Sequence, residues 1–177
     1  MFIDLLRSRR SIRKFQDRAV EAEKIDLLME AALRSPSSRG FNPWEFIVVD
    51  DAQTLQRLAK AKPHGASFLA KAPLAVVVCA DTSKSDVWVE DVSIATLILH
   101  LTATDLGLGS CWIQLRKRDY DDNTSAGAYA AACLGLREGL VVSAIMAIGY
   151  PAQQLDPHPQ SSLLTDKVSY NRYGDRR

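Results

Sequence analysis

Cysteine is scarce in this chain. Its 177 residues hold three, Cys79, Cys111 and Cys133, far apart and with no CxxC pair among them. That spacing excludes the stapled framework of a small secreted domain and argues against a structural zinc site. A sparse, odd count fits a reduced cytoplasm instead, and no metal is expected. Glycine is equally sparse, with nine residues, and nowhere do they form GxGxxG behind a strand or a GxxxxGK[ST] loop. No dinucleotide fingerprint or Walker loop is therefore present. HExxH and GxSxG are missing too. His64, His100 and His158 have no partner nearby in sequence. His100, inside an apolar helix, reads as a satisfied core or interface histidine. With no nucleophile or metal set in view, any chemistry falls to a bound cofactor, and no side chain is singled out as catalytic.

An excess of either charge is absent as well: 22 basic residues face 21 acidic ones, a net charge of +1. A surface built throughout for nucleic acid or anionic lipid is thereby excluded, and any anion site must be local. The longest apolar run, around LVVSAIMAIGY, is too short for a bilayer span. The N-terminal MFIDLLRSRR carries an acid and three arginines with no apolar run behind them, unlike a secretory signal. The expectation is a cytoplasmic protein with neither a membrane nor a nucleic-acid partner. Its length fits one domain, residues 1–177, with 152–177 as a polar tail of the kind that packs on a second subunit.

What is present is periodic. FIDLLRSR places Phe2, Leu5 and Leu6 on one helical face, and VEAEKIDLLMEAALRSP repeats the pattern through Val20, Ile25, Leu28, Ala32 and Leu33, with Pro36 closing it. WEFIVVD, LAVVVCA, SCWIQL and LVVSAIMAIGYP read as strands. LAVVVCA is apolar on both faces, the mark of an interior strand. AQTLQRLAKA and AGAYAAACLGL read as helices. VWVEDVSIATLILHLTATDLGLG is a long one, apolar nearly all round from Val92 to Leu101 and ended by Gly107 and Gly109. This order predicts helices packed on a sheet of four or five strands, an α+β or α/β sandwich.

Two polar stretches stand out from this frame. In SRRSIRKF, Arg9, Ser11 and Arg13 alternate, and in an extended segment alternate side chains share a face. Two guanidiniums and a hydroxyl make a cradle for phosphate, which arginine matches bidentately; a solvated basic turn would look the same. SPSSRGFNPW sets short hydroxyl residues, a glycine and Asn42 beside Trp44 at a helix-to-strand junction. Such a loop suits the edge of a planar, polar heterocycle, and an ordinary loop over a buried tryptophan remains the alternative. In QLRKR, Gln114, Arg116 and Arg118 alternate as well, either as a charged strand end or with Arg116 at a cleft mouth attracting phosphates or an acidic acceptor.

Taken together, RRSIRKF, SPSSRGFNPWEF, DLGLGSCWIQLRKR and AIGYP resemble the nitroreductase family of FMN-dependent oxidoreductases along essentially the whole chain. The resemblance implies a dimeric α+β fold with a central, mostly antiparallel sheet of four to five strands flanked by helices. It implies that Arg9, Arg10, Ser11 and Arg13 hold the FMN phosphate. Pro36, Ser37 and Ser38 match the loop that reaches the flavin from the partner subunit. Gly40 and Asn42 stand where the family has an asparagine and a glutamine. Gln114 and the Leu115 backbone amide match the strand end at the flavin N5 and O4 edge, and Lys167 or Arg172 stands in for a late basic phosphate ligand. The implied reaction is hydride transfer from NAD(P)H through flavin N5 to an organic acceptor (a nitroaromatic, quinone or conjugated alkene), with ping-pong kinetics in a homodimer. A non-catalytic flavin or phospho-ligand binding module is the alternative, and a small basic interaction protein using RSRRSIRK is a third.

Overall fold

The computed structural model describes every residue, 1–177. Five α-helices, α1 (Phe2–Ser8), α2 (Ala22–Leu33), α3 (Ala52–Leu58), α4 (Trp88–Asp105) and α5 (Ala126–Leu134), surround four strands. The strands are β1 (Trp44–Val49), β2 (Leu74–Asp81), β3 (Gly109–Gln114) and β4 (Leu140–Gly149). They form one sheet in the order β1-β2-β4-β3, and every neighbouring pair is antiparallel.

The two-residue period of the strands decides where the core lies. Ala75, Val77, Cys79, Ile145 and Ala147 face one way and pack on Leu55 and Leu58 of α3 and on Ala126 and Ala130 of α5. Leu74, Val76, Val78, Met146 and Ile148 face the other way, onto Leu28 and Ala32 of α2 and Val92, Leu99 and Ala103 of α4. All eight residues of β2 are buried, as an interior strand covered on both faces must be. Each fully buried Leu, Ile or Val contributes about 1.5–3 kcal/mol, and the α2–α4 and α3–α5 layers each pack on their own face of the sheet.

Local chemistry sets most of the ends. Asp51 caps α3 by accepting from the Thr54 amide at 2.7 Å, and Ser125 caps α5 through the Ala128 amide at 3.2 Å. Helix α2 stops at Leu33, short of Pro36, because the chain has already turned out at Ser35. Of the two glycines expected to end α4, Gly107 does so in a left-handed conformation (φ 72°), whereas Gly109 is the first residue of β3. Helix α1 differs from its sequence pattern: none of its residues is buried, and Phe2 and Leu6 remain largely exposed. The tail crosses back over the N-terminal segment at Ala152 and Asp156; beyond that its hydrogen bonds are internal. It carries Leu163, Leu164, Val168 and Tyr173 on its surface. No helix is long and apolar enough to cross a membrane.

Candidate functional site

The site is built along the free edge of β3. The N-terminal segment lies there in extended form, with Ser11 opposite Ser110 in a parallel bridge and the Ile12 amide donating to the Ser110 carbonyl at 2.9 Å. Further on, Phe15 bridges Pro151, and the Gln16 amide reaches the Tyr150 carbonyl at 2.8 Å. Two glycines make room for this. Gly109 and Gly149 are direct cross-strand partners. A Cβ on Gly109 would stand 2.8 Å from the Ile12 side chain; one on Gly149 would stand 2.6 Å from the Pro73 ring and 3.1 Å from Phe15. Gly109 is thus a packing requirement of the segment that carries the arginines, and Gly149 one of the Pro73 ring first and of Phe15 second.

Three basic side chains of that segment go to three places. Arg9 Nη1 lies 2.8 Å from His100 Nε2 on α4, and His100 Nδ1 lies 2.5 Å from Ser110 Oγ. Arg10 donates to the Asp156 carbonyl of the tail. Arg13 stands 6.0 Å over the Phe68 ring, in the short helix Ser67–Lys71 on the other side of the sheet. The alternation of Arg9, Ser11 and Arg13 therefore does not translate into one shared face. The segment bridges β3 only at Ser11, so it lacks the regular pleat the pattern presumes, and the two arginines flank the sheet edge. None of Arg9, Arg10 and Arg13 pairs with a carboxylate; the chain's ion pairs all lie elsewhere.

The loop after α2 is held from the same long helix. The Ser38 amide donates at 2.7 Å to Asp91 on α4, whose other oxygen accepts from Ser85 Oγ at 2.9 Å. Asp91 is buried. Ser37 and Asn42 close the loop on itself, through Asn42 N to Ser37 Oγ at 2.9 Å and Ser37 Oγ to Asn42 Oδ1 at 2.7 Å. Arg39, Gly40 and Asn42 all have positive φ, a tight path that Gly and Asn tolerate best. Pro36, Gly40 and Asn42 are exposed, while Ser35 Oγ and Trp44 Nε1 are buried with no partner. Removing the anchor by Asp91→Ala is expected to cost about 1.5–3 kcal/mol, since hydrogen bonds to a charged acceptor are lost. Amide hydrogen exchange at Ser38 should accelerate with it. An unchanged exchange rate there would show that the loop is held by something else.

The far end of β3 is shaped by a bulge in its neighbour. The β2–β4 register shifts between Val78 and Cys79, leaving Ser143 as the extra residue on β4. The Ser143 carbonyl then accepts both the Leu115 amide at 3.1 Å and the Arg116 amide at 2.9 Å, turning the chain away from the sheet. Gln114 is tied on both sides, accepting from Trp112 Nε1 at 2.8 Å and donating to the Arg116 carbonyl at 3.0 Å. Its own carbonyl takes Lys62 Nζ at 3.1 Å. Burial, with Arg118 adding, pushes the Lys62 ammonium below its ordinary value. Beyond this turn lies a cavity of about 500 Å³, lined by Trp88, Leu115, Arg116, Ser125 and Val141 among others, with the Arg116 guanidinium 5.5 Å from the Trp88 ring.

Lys167 and Arg172 lie in the exposed tail, and neither side chain has a hydrogen bond or ion pair. Asp91, Lys62 and Ser143 were not legible as site residues. The one available signal is His100 within the apolar run from Val92 to Leu101 of α4, where a buried polar residue is the informative exception.

Fold and site together define an α+β protein with three arginines free of carboxylate partners along one sheet edge, a bulged strand end further along that edge, and a polar loop held from α4. The nitroreductase family profile matches residues 6–86. The Archaeoglobus fulgidus protein named "Putative NADH dehydrogenase/NAD(P)H nitroreductase" is 36% identical over 158 residues, covering 87% of either chain. A Methanothermobacter thermautotrophicus protein of the same name is 34% identical over 85% of this chain and 78% of its own. Among solved structures, an FMN-dependent nitroreductase from Clostridium difficile R20291 superposes with a TM-score of 0.95 at 46% identity, over 97% of this chain and 99% of that one. The chain belongs to the nitroreductase family.

Proposed function

We propose that this chain is an FMN-dependent oxidoreductase that passes hydride from NAD(P)H to a small organic acceptor. The observation that carries the reading is the set of three arginines, Arg9, Arg10 and Arg13, held on the β3 edge without a carboxylate partner. A phosphate supplies the missing negative charge, and arginine is the side chain best shaped to hold it. From Ser110 to Gln114 the extended strand covers roughly 13 Å, a span that suits a ligand with an anionic end at the cradle and a flat end at the bulge. FMN fits this donor set, and when bound it supplies the hydride chemistry at its N5.

The chain's own residues do the rest. Arg9, Arg10, Ser11 and Arg13 hold the phosphate. Gln114 and the Leu115 turn border the ring, their positions set by Ser143 and Lys62. Pro36, Ser37, Ser38, Gly40 and Asn42 reach the ring of a second copy, with Asp91 fixing the loop's approach. Lys167 or Arg172 completes a phosphate site once the tail is packed. No side chain acts as an essential acid or base. Donor and acceptor use one face of the ring in turn, which gives ping-pong kinetics, and the acceptor is a flat conjugated molecule such as a nitroaromatic or quinone.

The working form is a homodimer of one-domain subunits, residues 1–177, with 152–177 wrapped on the partner. Exposed Phe2 and Leu6 on α1, Leu97 on α4 and the apolar residues of the tail support this. Its proposed compartment is the cytoplasm, where three free thiols persist.

The test is the visible absorption spectrum of the purified protein loaded with FMN, recorded before and after NADH or NADPH is added without oxygen. Flavin bands that bleach are the expected result. Bands that persist with both donors would leave a non-catalytic flavin module, and failure to bind FMN at all would end the reading.

A further inference from the structure

Helix α4 lies beneath the cradle, yet one of its side chains grips it. His100 is only 6% exposed, and both of its ring nitrogens are used. A guanidinium can only donate, so Nε2, 2.8 Å from Arg9 Nη1, is the accepting nitrogen. Nδ1 therefore carries the hydrogen and donates it to Ser110 Oγ at 2.5 Å. Ser110 is also the residue to which the backbone of the segment is stitched, by the bridge to Ser11 and the Ile12 amide. The result is a closed circuit: Arg9 side chain, His100, Ser110, and back to the chain at Ser11 and Ile12.

A free arginine side chain is rich in rotamers and loses conformational entropy when it is ordered. Here that ordering is done in advance by a buried acceptor. The acceptor must be a neutral imidazole, and it is: burial first, and the Arg9 charge second, push His100 down from its ordinary value to about 4.

We propose that His100 is the positioning residue of the anion cradle, holding the Arg9 guanidinium through Nε2 so that it meets the phosphate end of the cofactor already oriented. The inference rests on the FMN reading above and adds to it a residue that does not touch the cofactor. Its consequence is selective: His100 governs affinity for the phosphate and leaves the ring contacts alone.

The experiment compares FMN with riboflavin, which has the same ring and no phosphate, by fluorescence titration. His100→Leu keeps bulk and removes the acceptor. It is expected to weaken FMN binding about tenfold, or 1.4 kcal/mol, and to leave riboflavin binding unchanged. His100→Gln, whose amide oxygen can accept from Arg9, should recover part of the loss. In an Arg9→Ala background, His100→Leu should cause no further loss, because the residue through which it acts is gone. Should His100→Leu fail to fold, Ser110→Ala carries the test, with a smaller but equally FMN-selective loss expected. Equal losses for FMN and riboflavin, additivity with Arg9→Ala, or an unchanged FMN curve would each overturn the proposal. Wild-type protein that binds neither flavin would sink the cofactor reading itself, and this inference with it.

Discussion

Gly149→Ala is expected to destabilise the protein by about 1–3 kcal/mol, the cost of forcing a methyl into a filled space. The new carbon would lie 2.6 Å from two atoms of the Pro73 ring, which cannot fold away, and 3.1 Å from Phe15. Gly149 ends β4, opposite Gly109 and one residue after the Ile148–Leu74 pair, so the strand cannot slide to relieve the contact without disturbing the sheet centre. Gly109→Ala should behave differently. The nearest atoms to its new carbon all belong to the Ile12 side chain, at 2.8–2.9 Å, and the segment above can lift. Stability should fall less there, and FMN affinity should fall more, because the lifted residues are those that carry Arg9 and Arg13. Urea midpoints for both variants, with flavin titrations beside them, decide the matter. A Gly149→Ala protein as stable as the parent would mean that the Pro73 ring gives way freely.

Acidification is expected to remove stability in two stages that overlap near pH 4. His100 titrates near its ordinary 6.5 when unfolded and at about 4 when folded. Between those values the unfolded chain binds the extra proton, so stability is lost as the pH falls from about 6.5 to 4, by roughly 2–3 kcal/mol. Glu21 and Asp81 act lower down. Glu21 accepts from the Tyr150 hydroxyl and pairs with Arg18, and Asp81 accepts from Ser83 and pairs with Arg137; each is held at about 2. Their contributions are complete above the usual carboxylate range and disappear as the pH falls toward 2. Urea unfolding at pH 7, 5.5 and 4 measures the first stage, and His100→Gln should flatten it. A parent curve already flat between pH 6.5 and 4 would show that His100 is not held neutral by the fold.

Much of the architecture is legible along the chain because burial imposes a local period. LAVVVCA and LVVSAIMAIGYP are apolar on both faces, and they form the two central strands, packed from both sides. The long helix α4 and the polar stretches SRRSIRKF and SPSSRGFNPW on either side of α2 also fall where their residues place them. The alternation in SRRSIRKF is a weaker guide. Residues share a face only in a regular strand, and this segment touches β3 at one bridge. Helix α1 shows the same limit from the other side, since its apolar stripe lies over α4 only at half-buried Leu5 and leaves Phe2 and Leu6 exposed.

The residue chemistry of the site, its arginines, serines and short polar loop, belongs to the sequence alone, as do the family membership those motifs signal and the strand and helix order that presents them. What holds the parts in place was decided only by the tertiary structure. Arg9 meets His100 across 91 residues, and the Ser38 amide meets Asp91 across 53. The Ser143 bulge turns the chain at Leu115, and Gly109 opposite Gly149 opens the bed on which the segment lies. The reason is physical. A period in hydrophobicity reports whether a side chain is buried, but a hydrogen bond or a close approach between distant residues depends on register and on the path of the chain between them, which no local pattern records.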